Sequence, residues 1–318
     1  MPKLLSICIP TYNRKEKLVK LVGKLINQIE KNNVDNDVEI YISDNASTDK
    51  TSEYLDGLSE VSYIRIHRYV INTGMEGNFK QCYHAAQGKY VIVISDDDEY
   101  DDDLIKNLIE AIKKYPSVDY FFIPSKQSRD YSNIRFREIN RLTFLQETGM
   151  GCALLGSNVF RTSIIQEEQE KSVWYQCALL FNSNINECCV LDSMIDIKMP
   201  DIEIDKNYWA NHPYKRMDYD CQIIKLINES LMSLQEKNVL LDYYREGFFM
   251  DEIISFLHSE YFDKEKSLVS GKKIQNVEGF NREAFLLLNA RRITEIGYKL
   301  YMCKKRCIRI VARKKIKI

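Results

Sequence analysis

An apolar run that ends in three consecutive aspartates constrains this chain more than any other feature. Residues 90–94 have the length and Val/Ile-rich composition of a buried parallel strand, and Ser95 separates them from Asp96, Asp97 and Asp98. In open α/β sheets, ligands bind beyond the carboxyl ends of such strands. Adjacent carboxylates repel one another, and hard cations such as Mg²⁺ or Mn²⁺ bind carboxylates together with phosphate oxygens. The pattern favours a metal-bound diphosphate, although a solvated loop ahead of a helix would also explain it.

The sequence before this run alternates between strand and helix patterns. Apolar runs predict strands at residues 4–9, 38–42 and 61–66. Between them, residues 15–31 carry the apolar spacing of one helix face, and residues 49–58 predict a second helix. This βαβαβ order predicts a mostly parallel sheet with helices on both faces.

Polar clusters follow three of the predicted strands. The first contains Asn13, the second contains Asp44 and Asn45, and the third is the aspartate run at residues 96–98. Because the carboxyl ends of parallel strands meet at one edge of a sheet, we expect the three clusters to lie together. The turn after the first strand, residues 10–14, has neither the dinucleotide-binding glycine pattern nor that of a P-loop.

The middle of the chain predicts further elements around a polar connection. Residues 72–78 predict a turn that leads into a helix at residues 79–87. Residues 125–147 are polar, aromatic and irregular, which is typical of a connection outside the core. In the apolar stretch that follows, Gly156 permits a turn or a close approach of the backbone to a neighbour.

The alternation of strands and helices stops beyond Met199, where long helical patterns take over. These patterns cover residues 221–237, 248–262 and 282–306. We therefore predict two parts, an α/β domain at residues 1–205 and a mainly helical C-terminal extension at residues 206–318.

The composition is that of an ordinary globular protein. The 318 residues are 45% hydrophobic and 29% charged, and the net charge of -1 argues against a general nucleic-acid binder. The nine cysteines show neither zinc-ligand spacing nor a disulfide framework, and the sequence does not open with a signal-peptide pattern, so we expect a cytoplasmic protein. No apolar stretch has the length of a membrane-spanning helix.

Four blocks of this sequence, taken together, resemble the bacterial family 2 glycosyltransferases of GT-A fold. The blocks are residues 4–14, residues 42–49, the Asn72-x-Gly74 stretch up to Gly88, and residues 94–98. The resemblance is strong over residues 4–125 and fades after about residue 200. It implies a GT-A domain that transfers a sugar from a nucleoside diphosphate sugar, in the first instance a UDP-sugar, to a saccharide or lipid-linked saccharide acceptor. The products would be bacterial surface polysaccharides such as capsule, lipopolysaccharide or lipo-oligosaccharide.

The resemblance also implies roles for individual residues. The positions that match the nucleotide-sugar site are Pro10, Thr11, Tyr12, Asn13, Asp44, Asn72, Gly74, Asp96 and Asp97. Asp96 would act in catalysis close to the ribose or donor sugar, and Asp98 matches a ligand of the bridging Mn²⁺ or Mg²⁺. His212 is similar in place to a third metal contact of some GT-A enzymes. Simpler roles stay open, as a packing aromatic for Tyr12 and as turn or loop residues for Asp44, Asn72, Gly74 and His212.

The catalytic base is where this chain departs from the family pattern. Family 2 enzymes are generally inverting, so a carboxylate should deprotonate the acceptor hydroxyl. The Glu-Asp pair of many relatives is replaced here by residues 172–176, which carry no carboxylate. We assign the base to the nearby Glu170, whose glutamate-rich surroundings an exposed charged surface would also explain. Trp174 or Tyr175 would stack on the acceptor sugar or pack in the core.

The basic tail, residues 299–318, contains no acidic residue. Its mixture of basic and apolar residues predicts a peripheral contact with the cytoplasmic face of the inner membrane, or a solvated terminus. Two other functions stay open at this point. One is a non-catalytic GT-A scaffold that binds nucleotide sugars in a glycan-assembly complex, and the other is a metal-dependent phosphohydrolase or nucleotidyltransferase.

Overall fold

The computed structural model describes residues 3–96, 98, 100–124, 137–165, 174–185, 187–190 and 222–246. The chain divides into two compact units, Met1–Ala210 with Ser230–Glu236, and Asn211–Glu229 with Lys237–Ile318. Most of the second unit lies outside the described residues, as do the helices predicted at residues 248–262 and 282–306. The predicted division at residue 205 stays a prediction.

The first half of the chain alternates between strands and helices as the sequence predicts. The elements in order are β1 (Leu5–Thr11), α1 (Lys15–Asn32), β2 (Val38–Asp44), α2 (Thr51–Asp56), β3 (Ile64–Arg68), α3 (Gly74–Ala85), β4 (Tyr90–Val93) and α4 (Leu104–Lys114). The apolar positions of α1 and α4 recur every three or four residues, and these faces pack on β1, β2 and β4 in one hydrophobic core.

The second half adds shorter elements on the other side of β4. They are β5 (Tyr120–Phe122), β6 (Arg137–Asn140), α5 (Arg141–Thr148), β7 (Asn158–Arg161), α6 (Tyr175–Asn182), β8 (Glu187–Val190) and α7 (Leu234–Glu246). Short 3₁₀ segments, Gly149–Ala153 and Leu155–Ser157, lead into β7.

One eight-stranded sheet contains all of these strands, in the order β3-β2-β1-β4-β7-β5-β8-β6. The strands β3, β2, β1 and β4 are mutually parallel, whereas β7 runs antiparallel to β4 and β5, and β6 runs antiparallel to β8. Six strands therefore share one direction, and the mostly parallel α/β sheet is confirmed. Since β1 lies between β2 and β4, the carboxyl ends of these three strands are neighbours.

Local side-chain hydrogen bonds accompany three differences between the predicted and observed elements. The helix α3 begins at Gly74, five residues before its predicted start, directly after a turn in which the Asn72 side chain accepts a hydrogen bond from the Gly74 amide (2.8 Å). In the predicted connection at residues 125–147, the Asn140 side chain caps α5 through the Thr143 amide (2.8 Å). The helix predicted at residues 221–237 is interrupted, because Ser233 opens α7.

Candidate active site

The three polar strand ends lie side by side at the carboxyl edge of the sheet, as the sequence predicts. Thr11 ends β1 and is paired in register with Asp44, which ends β2. The Thr11 hydroxyl donates a hydrogen bond to Oδ2 of Asp96, just beyond β4, at 3.0 Å. Residues from three separate parts of the sequence therefore form one polar edge, where parallel sheets place their ligands.

Asp96 is a buried carboxylate with partners for both oxygens. Oδ2 accepts the hydrogen bond from Thr11, and Oδ1 accepts one from Nη1 of Arg14 at 2.9 Å. Burial of a carboxylate is costly unless it is paired and hydrogen-bonded, and these partners meet that requirement. The Arg14 side chain is itself 45% exposed, so the ion pair is accessible from solvent on one side. Arg14 had no predicted role, although it directly follows the turn after β1.

Asp98 is held by an aromatic hydroxyl from the same loop. The Tyr100 hydroxyl donates a hydrogen bond to Oδ2 of Asp98 at 3.1 Å. Burial and the charge of Asp98 raise the pKa of Tyr100, so its hydroxyl stays protonated and acts as a donor. Nothing in the sequence around Tyr100 distinguishes it from a core tyrosine, and the sequence analysis missed it.

A cleft between this loop and helix α1 contains both described aspartates. Its lining consists of Lys17, Lys20, Leu21, Lys24, Asp96, Asp98 and Tyr100. The basic residues of α1 thus lie opposite the acidic loop. The cleft is partly open to solvent.

Asn45 organises the loop that follows β3. Its Nδ2 donates to Oδ1 of Asn72 and to the Gly74 carbonyl, both at 3.0 Å, and its Oδ1 accepts from the Thr73 amide at 2.8 Å. Asn45 is buried next to Asp44, and it ties the predicted nucleotide-facing turn at Asn72 and Gly74 to the end of β2. The sequence analysis placed Asn45 in a strand-end cluster without a role of its own.

Asp44 and Asn13 make local contacts within this edge. Oδ1 of the buried Asp44 accepts a hydrogen bond from the Ser47 amide at 3.1 Å, which matches the turn role left open for this residue. Asn13 has a left-handed backbone (φ 53°), and its Oδ1 accepts from the amides of Thr48 (2.7 Å) and Asp49 (3.3 Å). These bonds fix the loop after β2 against the turn after β1. The nucleotide-binding roles of both residues stay predictions.

Asp49 lies where the first residues of α1 and α2 meet. Its Oδ1 accepts a hydrogen bond from the Thr51 amide at 2.9 Å, and its Oδ2 accepts one from the Lys15 amide at 3.2 Å. Slight desolvation opposes ionisation, but these hydrogen bonds prevail and lower the pKa of Asp49. Asp49 therefore holds the first residues of the two helices together.

The remaining predicted residues divide into exposed, buried and undescribed ones. Tyr12 is 43% exposed beside the edge, and Pro10 lies within β1. Tyr175 is fully buried and stacks on Tyr83 with ring centroids 5.3 Å apart, so it is a core residue and not a platform for an acceptor sugar. Three predicted site residues lie outside the described residues, namely Asp97, Glu170 and His212.

The described residues fit a divalent cation that binds together with a phosphate-containing ligand. Among them, no group of three His, Cys, Asp or Glu side chains could hold a metal ion alone. Mg²⁺ at nucleotide sites is bound by one or two carboxylates and completed by phosphate oxygens. Asp98, which lies beside Asp96 in the cleft, is a carboxylate of this kind, and a diphosphate would supply the missing ligands.

Comparison with known proteins gives a consistent family. The model of glycosyl transferase family 2 matches residues 6–170. A 115-residue region, 35% of the chain, is 44% identical to the Salmonella typhimurium abequosyltransferase RfbV, of which it covers 32%. A 186-residue region, 55% of the chain, is 32% identical to a Campylobacter jejuni GalNAc(5)-diNAcBac-PP-undecaprenol beta-1,3-glucosyltransferase, of which it covers 57%. The matched regions thus span between about a third and somewhat over half of these relatives.

Solved structures share the fold at low sequence identity. S. aureus TarS 1-349, also solved in complex with UDP-GlcNAc, superposes with a TM-score of 0.61 at 16% identity, over 91% of this chain and 82% of that one. The mannosyltransferase PcManGT from Pyrobaculum calidifontis, in complex with GDP-Man and Mn²⁺, gives a TM-score of 0.57 at 15% identity, over 90% and 86%. Within the part that the structure describes, no helix is long and apolar enough to span a membrane.

Proposed function

Because the chain belongs to glycosyl transferase family 2, we propose that it transfers a sugar from a nucleoside diphosphate sugar to a saccharide or lipid-linked saccharide acceptor. The observation that carries the proposal is the position of Asp96 and Asp98. Both line one cleft at the carboxyl edge of β4, next to the ends of β1 and β2. A donor bound there would place its diphosphate at the aspartates and its nucleoside at Asp44.

A UDP-sugar is the donor that we propose to test first. TarS, which shares the fold, was solved with UDP-GlcNAc, whereas PcManGT was solved with GDP-Man. A buried carboxylate such as Asp44 can accept hydrogen bonds from a base N–H or from ribose hydroxyls. Thr11, Tyr12 and Asn13 would shape the wall beside the nucleotide, and the loop at Asn72 and Gly74 would close the opposite side.

The two described aspartates would have different tasks. Thr11 and Arg14 orient the carboxylate of Asp96, so this residue suits contacts to the ribose or the donor sugar, with Asp97 beside it. Asp98 would hold the Mn²⁺ or Mg²⁺. When bound, a divalent cation would neutralise the charge that develops on the departing nucleoside diphosphate.

The acceptor side of the reaction depends on residues outside the described ones. We propose Glu170 as the base that removes the proton of the acceptor hydroxyl, while the hydroxyl oxygen attacks the anomeric carbon opposite the diphosphate. The name of the Campylobacter relative contains an undecaprenol-linked saccharide, which supports a lipid-linked acceptor. The basic tail at residues 299–318 would keep the enzyme at the cytoplasmic face of the inner membrane.

A donor screen tests this proposal. Wild-type protein is incubated with UDP-, GDP-, dTDP- and CDP-sugars and Mn²⁺, and the release of free nucleoside diphosphate is followed. We expect slow release from one donor, which EDTA and Asp98→Asn abolish. Asp102→Asn is the matched control, because it removes an exposed carboxylate a few residues away and should leave the release unchanged.

Each other outcome of the screen has a distinct meaning. Donor binding without turnover, even with lipid-linked or oligosaccharide acceptors, would indicate a scaffold rather than an enzyme. Release of inorganic phosphate or pyrophosphate would indicate a phosphohydrolase or nucleotidyltransferase. Turnover that survives in Glu170→Gln would remove Glu170 as the base while leaving the transferase function in place.

A further inference from the structure

We propose that Tyr100 is a positioning residue for Asp98, and that the missing side chain of Gly156 makes room for it. This inference rests on the proposed function, in which Asp98 holds the divalent cation. The Tyr100 hydroxyl donates to Oδ2 of Asp98 at 3.1 Å, and its ring is buried in the core between the sheet and helices α1 and α4. A rigid aromatic side chain therefore fixes one carboxylate oxygen of a residue that otherwise belongs to a loop.

Gly156 lies next to the Tyr100 hydroxyl that makes this contact. A Cβ atom built on Gly156 would lie 2.4 Å from the Tyr100 hydroxyl oxygen and 3.2 Å from the adjacent ring carbon. Real Cβ atoms do not approach an oxygen so closely, and any side chain at this position would displace the hydroxyl from Asp98. The sequence analysis expected a turn or a close approach at Gly156, and the structure identifies the neighbour as Tyr100.

The turn that carries Gly156 is itself held in place. The buried Asn158 side chain donates to the Cys152 carbonyl at 3.1 Å and accepts a hydrogen bond from the Tyr120 hydroxyl at 2.8 Å. The Ser157 carbonyl accepts from the Ile123 amide at 2.9 Å. Because these bonds anchor the turn to β5, the position of the Tyr100 hydroxyl depends on the far half of the sheet.

Groups that orient a metal ligand typically change metal affinity by about 10- to 100-fold when removed.

Isothermal titration calorimetry separates this role from simple core packing. The nucleotide is the one of UDP, GDP, dTDP and CDP that binds wild type most tightly. It is titrated into the protein once in the presence of Mn²⁺ and once in the presence of EDTA. The ratio of the two affinities measures the gain due to the cation. We expect Tyr100→Phe, which keeps the ring, to reduce this gain about tenfold and to leave the affinity in EDTA unchanged.

Two further variants make the test specific. Tyr90→Phe removes a buried hydroxyl that donates to the Val118 carbonyl (2.8 Å) far from the aspartates, and it should keep the full gain. Gly156→Ala should reduce the gain as Tyr100→Phe does. In the double variant, the alanine should add little to the loss caused by Tyr100→Phe, because the hydroxyl that it displaces is already absent.

The outcomes distinguish this inference from the proposed function. If wild type shows the gain and Tyr100→Phe retains it, Tyr100 is only a core residue, and the transferase proposal stands. Additive losses in the double variant would show that Gly156 acts by another route, which contradicts the second half of the inference. If nucleotide binds wild type equally well with and without Mn²⁺, the metal-dependent mechanism fails, and the role of Tyr100 fails with it.

Discussion

Two buried carboxylates, each paired with an arginine, lie at opposite ends of the same parallel strands. Glu39 is at the amino end of β2 and pairs with Arg65, and Asp96 is beyond the carboxyl end of β4 and pairs with Arg14. Both ion pairs have N–O distances of 2.9 Å, and the two carboxylate side chains are 3% and 2% exposed. By distance and burial alone, the two pairs are equivalent.

Further contacts tie the pair at the amino end into the fold. The carboxylate of Glu39 also accepts hydrogen bonds from the Ser6 hydroxyl and from the Gln87 amide (2.7 Å). Arg65 donates further to the Ala85 carbonyl at 3.0 Å, and its guanidinium lies over the Tyr41 ring. These contacts join the chain after α3 to the starts of β1 and β2, which is a structural task.

The pair at the carboxyl end differs because it borders an open cleft. Asp96 lines the same cleft as Asp98, and its partner Arg14 is nearly half exposed. A buried ion pair does not by itself mark a site, since burial demands pairing at either end. The end of the sheet and the adjoining cleft distinguish the two.

Asp96→Asn should have the largest effect, and it should act on turnover rather than on stability. The change removes the charge that Thr11 and Arg14 orient, and we expect nucleoside diphosphate release to fall at least about 100-fold, or roughly 2.7 kcal/mol in transition-state free energy. Thermal unfolding should change little, because Arg14 remains solvated. An Asp96→Asn variant with a much lower unfolding temperature but normal turnover would show that this carboxylate has a structural and not a functional role.

Glu39→Gln is the matched change at the amino end and should do the opposite. The change replaces the counter-charge of Arg65 with the neutral, buried amide of the new glutamine side chain. We expect the free energy of unfolding to fall by about 2 to 3 kcal/mol. This loss is smaller than for a fully buried pair because Arg65 is partly exposed. Denaturant titration measures this loss. Turnover per folded molecule should equal that of wild type, and a large loss of turnover at full stability would contradict the structural role.

Gly88→Ala tests how closely the amino end is packed. A Cβ atom at Gly88 would lie 2.7 Å from the Ser6 amide nitrogen and 2.8 Å from the Leu5 carbonyl carbon, both in the backbone of β1. We expect a loss of about 2 kcal/mol, since backbone atoms cannot rotate away. Gly23→Ala is the control, because open space surrounds that position within α1, and it should stabilise the protein by about 0.5 to 1 kcal/mol. Equal effects of the two changes would refute the packing argument.

A third ion pair, between Arg141 and Glu236, gives an effect that depends on pH. The Glu236 carboxylate accepts a hydrogen bond from the Ser233 amide (2.8 Å) at the start of α7. It accepts a second one from Nε of Arg141 (2.7 Å). Desolvation opposes ionisation, but the hydrogen bonds from Arg141 and Ser233 prevail and lower the pKa of Glu236. A lowered folded-state pKa means that this stability is present above the ordinary glutamate value of about 4.3 and is lost as the pH falls through the folded value. The advantage of wild type over Glu236→Gln should therefore shrink on acidification, and a constant difference from pH 7 to pH 3 would exclude this linkage.

Much of the sheet and of its polar edge was predictable, because both depend on short-range patterns. Short apolar runs identify β1, β2 and β4, and helix spacing identifies α1 and α4. The alternation of these elements implies parallel strands, and parallel strands bring Thr11, Asp44 and Asp96 to one edge. The start of α3 and the elements β6 and α5 escaped prediction, since side-chain caps and pairing at a sheet edge decide them.

The family, the fold class and the edge of the sheet where the polar strand ends meet follow from the sequence alone. The neighbours that orient each carboxylate follow only from the folded chain, because Arg14 and Asp96 are 82 positions apart in the sequence and meet through the pairing of β1 with β4. The contact of Gly156 with Tyr100 likewise requires β7 to lie beside β4. Local patterns cannot encode such contacts, since strand order and register bring the residues together only in the folded chain.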